Sequence, residues 1–137
     1  MRPFKTVIGI VILLFIALLL IECLKRIGTP SGLYPTSGLA SWYTAKITAI
    51  GESLTADSFT CALRRRDFGK WYKVCNTENG RCVVVRHNNW GPSWYLYNQG
   101  RIVDLSRAAF SRIADLEQGI IPITLAECDP LHNSFIP

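Results

Sequence analysis

The chain has 137 residues, 49% of them hydrophobic, and a formal charge of +5, which leaves room for one domain of ordinary size. From residue 39 onward eleven Lys and Arg stand against nine Asp and Glu. That near balance is not a nucleic-acid footprint, and Arg64-Arg65-Arg66 is too short a run to make one, so it reads as a solvated loop.

The first element is apolar. Residues 6–24, "TVIGIVILLFIALLLIECL", carry one charge, Glu22, at the far end. As a helix rising ~1.5 Å per residue the run is about 28 Å long, close to a bilayer core of roughly 30 Å. A cleaved signal peptide competes with this reading, but its apolar run is typically about 7–15 residues and ends in a small-x-small triplet. "IECLKR" holds no such triplet, and Ile21-Glu22 before Cys23 is a poor lipoprotein signal. The run is therefore read as an uncleaved, single-pass transmembrane helix. Arg2 and Lys5 on one side face Lys25 and Arg26 on the other, so charge leaves orientation open. The organisation expected is an anchor over 1–27, a Gly/Pro/Ser linker over 28–38, a domain over 39–128 and a loose tail over 129–137.

Within the domain, "LASWYTAKITAI", "KWYKVCN", "RCVVVRH", "GRIVDL" and "IPITLAE" are short, β-branched and aromatic, and Gly, Asn and Pro punctuate them. This predicts an all-β domain, a small barrel. One stretch differs. "SRAAFSRIADLEQG", 106–119, puts Ala109, Phe110, Ile113 and Leu116 on one helical face, with Ser106 as N-cap and Gly119 as stop.

Past the anchor stand Cys61, Cys75, Cys82 and Cys128. No C-x-x-C pair occurs, so neither a metal site nor a cofactor is expected. Asn79-Gly80 signals a hairpin whose four-residue loop, 77–80, sets Cys75 opposite Cys82. That predicts a Cys75–Cys82 disulfide and leaves Cys61 for Cys128. The apolar anchor places the domain on the oxidising side of a membrane, periplasmic or extracellular. Four reduced, buried thiols are the alternative.

Trp90, Trp94, Tyr95 and Tyr97 crowd one turn-rich stretch after the strand 82–88. Aromatic rings in loops beside polar groups suit flat ligands such as sugars. Trp42 and Trp71 lie inside strand patterns and read as core.

The motifs "ASWYT", "FTCALRRRDFGKWYKV", "NTENGRCVVVRHNNWGP" and "GRIVDLSRAAFSRIA" followed by "GIIPITL" resemble, in order and spacing over about 39–126, the double-psi β-barrel of rare lipoprotein A. The resemblance to the N-terminal domain of expansins is more distant. The rare lipoprotein A resemblance implies a six-stranded double-psi barrel with one short helix in the bacterial envelope, acting on peptidoglycan glycan strands as a lytic transglycosylase. The family's glutamate falls on Glu52. Its histidine, in "T-A-A-H-R", falls on Leu63, and its aspartate, in "N-D-R-G-P", falls on Asn89. Two of three catalytic positions are thus replaced by side chains that cannot exchange a proton near neutral pH.

The function expected is therefore glycan-strand binding with weakened or lost chemistry. A site rebuilt from Asp104, Glu52 and His87 is the catalytic alternative, and an expansin-like wall-loosening or partner-binding scaffold is the other. Asp104 matches the aspartate that expansins and related barrel cellulases hold in "D-L-S", and competes with a simpler role accepting backbone N–H groups at the helix start. His87 is two residues from Asn89 and on a regular strand would share its face. A satisfied strand-end ring is its simpler reading. The expected glycan-binding set is Asn88, Asn89, Trp90, Trp94 and Tyr95. The partners expected are glycan strands and the membrane, with no nucleic acid.

Overall fold

The computed structural model describes residues 12–18 and 35–130. The chain divides into two units, 1–34 and 35–137. In the first, residues 12–18 are helical with exposed side chains. The rest of the expected anchor at 6–24, most of the linker and the end of the tail lie outside the described residues. Among the described residues no helix is long and apolar enough to cross a membrane.

The second unit is a closed barrel of six strands: β1 (Ser37–Tyr43), β2 (Thr60–Leu63), β3 (Trp71–Asn76), β4 (Cys82–Trp90), β5 (Arg101–Ser106) and β6 (Ile120–Cys128). Their order around the barrel is β1-β5-β2-β4-β3-β6. The pairs β1–β5 and β2–β4 are parallel, and the other four are antiparallel. Both parallel pairs slip by one residue. Ile102 is the extra residue between Leu39↔Arg101 and Ala40↔Val103, and Asn88 the extra one between Cys61↔His87 and Ala62↔Asn89. Each slip shifts the in–out alternation beyond it.

Alternation is clearest in β3, where Tyr72, Val74 and Asn76 are buried and the residues between them half-buried. Their partners Val83 and Val85 on β4, with Ile121, Ile123 and Leu125 on β6, fill the barrel. The short β2 was not expected as an element of its own, since its four residues "TCAL" are all buried and show no alternation. It lies between β5 and β4, and a strand covered on both faces loses the period-2 signature. The strand expected to run to Ile50 stops at Tyr43. Beyond it Thr48 N bonds Glu52 O at 2.8 Å and Gly51 N bonds Thr48 O at 3.0 Å, so this backbone pairs locally.

A short helix, α1 (Trp94–Tyr97), was not expected, and the single helix expected over 106–119 is two pieces, α2 (Arg107–Ile113) and a 3-10 turn, Leu116–Gln118. Ser106 does cap α2, accepting from Ala109 N. Ala114 is extended, and Asp115 then caps the 3-10 turn in a capping box with Gln118. The break keeps Phe110 and Ile113 in the core, and Leu116 still packs against it. Each of the two buried side chains is worth about 2 kcal/mol.

The hairpin is as expected. Cys75 and Cys82 are register partners and disulfide-bonded, and Gly80 takes the positive φ of 72° that its turn requires. The second pairing is corrected, because Cys61 and Cys128 are free thiols. Cys61 on β2 faces His87 and Leu105, whereas Cys128 on β6 faces Trp71 on β3. Two strands, β4 and β3, stand between them in the sheet, beyond the reach of a disulfide of ~4.4–6.8 Å between Cα atoms.

Candidate functional site

One row of register partners crosses four strands: Ser41 on β1, Asp104 on β5, Ala62 on β2 and Asn89 on β4. Asp104 is its centre. Ser41 Oγ donates to Asp104 Oδ1 at 3.0 Å and Arg101 Nε at 2.7 Å, and Oδ2 takes neither bond. The helix-cap alternative for Asp104 is set aside, because Ser106 does that work. A Cβ placed on Gly91 would lie 3.1 Å from Asp104 Oδ2 and 3.1 Å from Ala62 Cβ. Glycine is needed here so that the chain after β4 can pass close over the carboxylate.

Tyr43, two residues beyond Ser41, reaches the same neighbourhood. Its Oη and Thr60 Oγ1 are both buried without a hydrogen bond of good geometry, although the two hydroxyls and the Asn89 amide lie beside one another. Burial pushes the Tyr43 phenol up, so it stays protonated. Asn89 Oδ1 accepts from Ala49 N and Trp90 N, both at 3.0 Å. This amide pins the 44–58 loop to the end of β4.

Glu52 belongs to that loop. Arg86 Nη2 lies 2.5 Å from Glu52 Oε2 and Asn88 Nδ2 3.0 Å from the same oxygen. The Arg86 guanidinium, aided by Asn88, holds the Glu52 carboxyl below the usual carboxylate range. An acid so held is ionised near neutral pH and suits a base or an electrostatic role, not proton donation. Asn88 is corrected as a sugar contact. It is 2% exposed, its amide nitrogen serves Glu52 and its Oδ1 is buried and unpartnered.

His87 does not join this group. The bulge at Asn88 breaks the regular strand on which His87 would share a face with Asn89, and His87 is instead wholly buried. Its Nδ1 is 2.8 Å from Asp67 Oδ1 and its Nε2 3.0 Å from Asn89 O. Among the described residues Glu52, Asp104 and His87 share no hydrogen bond or ion pair, and each has its own partners. Leu63 is also fully buried. Register puts it beside Trp90 and puts Ala62 beside Asn89, so Leu63 and Asn89 point to opposite sides of the sheet.

The aromatic residues form two local groups, Trp90 with Phe68 and Trp94 with Tyr97. Trp90, Trp94 and Tyr95 are 47%, 60% and 73% exposed. Tyr97 is edge-on to Trp94 at 5.6 Å and packs against the core. Arg64 stacks on Trp94 at 4.0 Å and donates to Pro92 O at 2.9 Å, and Arg65 pairs with Asp67 at 2.8 Å. The solvated-loop reading of 64–66 is therefore corrected for two of its three arginines. Phe68, Asp67, Tyr43 and Arg86 were missed from sequence. The signal available was "RRRDFGK", where a carboxylate and a ring sit among cations. A concavity of about 680 Å³ lies elsewhere, lined by Phe59, Lys73, Arg81, Cys82 and Arg112 among others. It holds none of the carboxylates or exposed rings described above and is not taken as the site.

Comparison with known proteins agrees with this architecture. The family model described as lytic transglycolase matches residues 36–125. The endolytic peptidoglycan transglycosylase RlpA of Vibrio cholerae is 39% identical over 99 residues, 69% of this chain and 36% of that protein. A probable RlpA of Nostoc is 36% identical over 94 residues, 64% of this chain and 24% of its own length. The chain thus spans about a quarter to a third of these curated relatives.

Among solved structures, an expansin of Clavibacter michiganensis has a TM-score of 0.54 at 22% identity, covering 69% of this chain and 50% of that one. A Streptomyces papain inhibitor has a TM-score of 0.52 at 26% identity, covering 71% and 97%. The expansin likeness shows the fold alone, and that fold is the mostly-β barrel with short helices found here. On the family match, the six-stranded barrel and the sequence identity taken together, the chain belongs to the lytic transglycolase family.

Proposed function

We propose that the barrel binds peptidoglycan glycan strands across the row from Asp104 to Asn89 and the exposed rings beside it, with the family's transglycosylase chemistry weakened or lost. The single observation that carries this reading is the state of the replaced positions. Leu63 is buried in the core, and Asn89 spends its side-chain oxygen on two backbone N–H groups. Lytic cleavage needs one group to protonate the glycosidic oxygen and one to take the proton of the sugar 6-hydroxyl. Glu52 is held ionised by Arg86, which leaves the donor's place without a family residue. Losing general acid–base help typically lowers rate by ~10²–10⁴. The names of the relatives support a peptidoglycan ligand. A variant of the Clavibacter expansin, with a TM-score of 0.53 over 50% of its own chain, was solved in complex with cellohexaose, which supports a glycan polymer as the kind of ligand. We place the domain on the outer side of a cell membrane, held by residues 6–24.

Digestion of purified sacculi, with and without stem peptides, tests the chemistry. The expected result is retention of the protein on glycan with little or no anhydro-sugar release. Clear wild-type cleavage that vanishes in Asp104→Asn would replace this reading with a rebuilt transglycosylase, for which the uncommitted Asp104 Oδ2 is the candidate group. Trp90→Ala and Trp94→Ala should weaken retention, while Trp71→Ala should mainly lower stability. Undiminished binding by folded Trp90→Ala would remove the aromatic face from the site.

A further inference from the structure

His87 is wholly buried, yet both its ring nitrogens face acceptors. Nε2 is 3.0 Å from the Asn89 carbonyl oxygen, which can only accept, so Nε2 carries a hydrogen. Nδ1 is 2.8 Å from Asp67 Oδ1. Burial favours the acid form of Asp67. The Tyr72 hydroxyl, His87 and Arg65 nonetheless hold its carboxyl below the usual range, so it too is an acceptor. A ring carrying a hydrogen on both nitrogens would satisfy both acceptors by donating twice. A neutral ring would set a lone pair against the carboxylate or the carbonyl.

Around this pair the loop between β2 and β3 is fastened to β4. Gly69 N donates to His87 O and His87 N to Lys70 O, both at 2.8 Å. Between those anchor points Phe68 lays its ring 4.7 Å from the imidazole, and Trp90 meets Phe68 edge-on at 4.8 Å. The bulge at Asn88 is what brings His87 and Trp90, three residues apart, to within 6.5 Å of each other. The other groups facing the ring are Tyr72, centred 6.5 Å away, and the Cys61 thiol in register on β2.

We propose that Asp67 and His87 are positioning residues. Their buried ion pair fixes Phe68 and Trp90 as a rigid two-ring wall that takes the apolar face of a sugar residue. This rests on the glycan-binding reading and assigns His87 to ligand positioning instead of acid–base chemistry. The physical logic is pre-organisation: a wall already fixed loses less freedom when the ligand docks. A cation beneath the rings also adds attraction to their π faces.

The test uses the full chain labelled with ¹⁵N-histidine, His132→Gln serving to assign the His87 signals. Under conditions where the folded protein retains glycan, both His87 ring nitrogens should carry a hydrogen, and a neutral tautomer there overturns the proposal. Retention on peptide-free glycan strands should fall at least about tenfold in folded Asp67→Asn and in Phe68→Ala. Wild-type retention should also drop, with unchanged far-UV signal, over the pH range in which the ring loses its proton, and Phe68→Ala should show no such step. Full retention by folded Asp67→Asn overturns the proposal. If Asp67→Asn does not fold, the wild-type pH profile decides alone. If the wild type binds no glycan, the glycan reading fails by itself. Positioning is then read from nuclear Overhauser contacts between Phe68 and Trp90: loss on ring deprotonation supports it and persistence refutes it.

Discussion

Gly91 shows how little space the Asp104 carboxylate has. A methyl group there would meet Asp104 Oδ2 and Ala62 Cβ at 3.1 Å, tighter than ordinary contact. Gly91→Ala should cost about 1–3 kcal/mol, seen as a lower urea midpoint, and should weaken glycan retention in the protein that still folds. Asp67 makes a second prediction at this scale. Its folded carboxyl titrates below its ordinary value of 3.8. The stability it contributes is therefore complete above the unfolded value and disappears as pH falls through the lower folded value. Wild-type melting temperature should fall steeply below about pH 4, and Asp67→Asn should flatten that acid limb. An identical acid limb in the variant would mean that other carboxylates carry it.

At the scale of elements, the β3–β4 hairpin and the separated strands β2 and β6 treat their cysteines differently. Cys75 and Cys82 are seven residues apart, opposite one another and bridged. Closing so short a loop is worth about 2 kcal/mol, so Cys75→Ser with Cys82→Ser should lower the unfolding free energy by that amount. Cys61 is buried, and burial with the nearby Asp67 charge pushes its thiol far up, which makes it unreactive while folded. Peptide mapping without reductant should find one bridge, 75–82, and Cys61 alkylated only after denaturation. A mapped 61–128 bridge would contradict this strand order. The hairpin was legible in sequence because Asn79-Gly80 and the cysteine spacing are local signals. The fate of Cys61 was not, since elimination among four cysteines carries no distance.

On the scale of the whole molecule, an apolar N-terminal run precedes a barrel that folds as its own unit. If residues 6–24 stay attached and anchor the chain, the protein should sediment with membranes, resist carbonate extraction and keep that run after purification. A mature N-terminus near residue 40 would instead show cleavage.

Local or compositional signals in the chain specified five of the six strands, the Gly80 turn, the Ser106 cap, the exposed aromatic stretch and a run of motifs long enough to mark the family. Each depends on residues near one another in the chain, where periodicity, turn chemistry and capping act. The rest came from long-range packing. The slip at Asn88 turned His87 away from Asn89 and toward Asp67 and Phe68. Closure of the barrel buried β2 on both faces and hid its alternation, and the same closure kept Cys61 and Cys128 apart. Packing bent the 106–119 segment at Ala114. These outcomes follow from pairings between strands distant in sequence, and a one-residue change of register reverses which side chains meet without altering any local pattern.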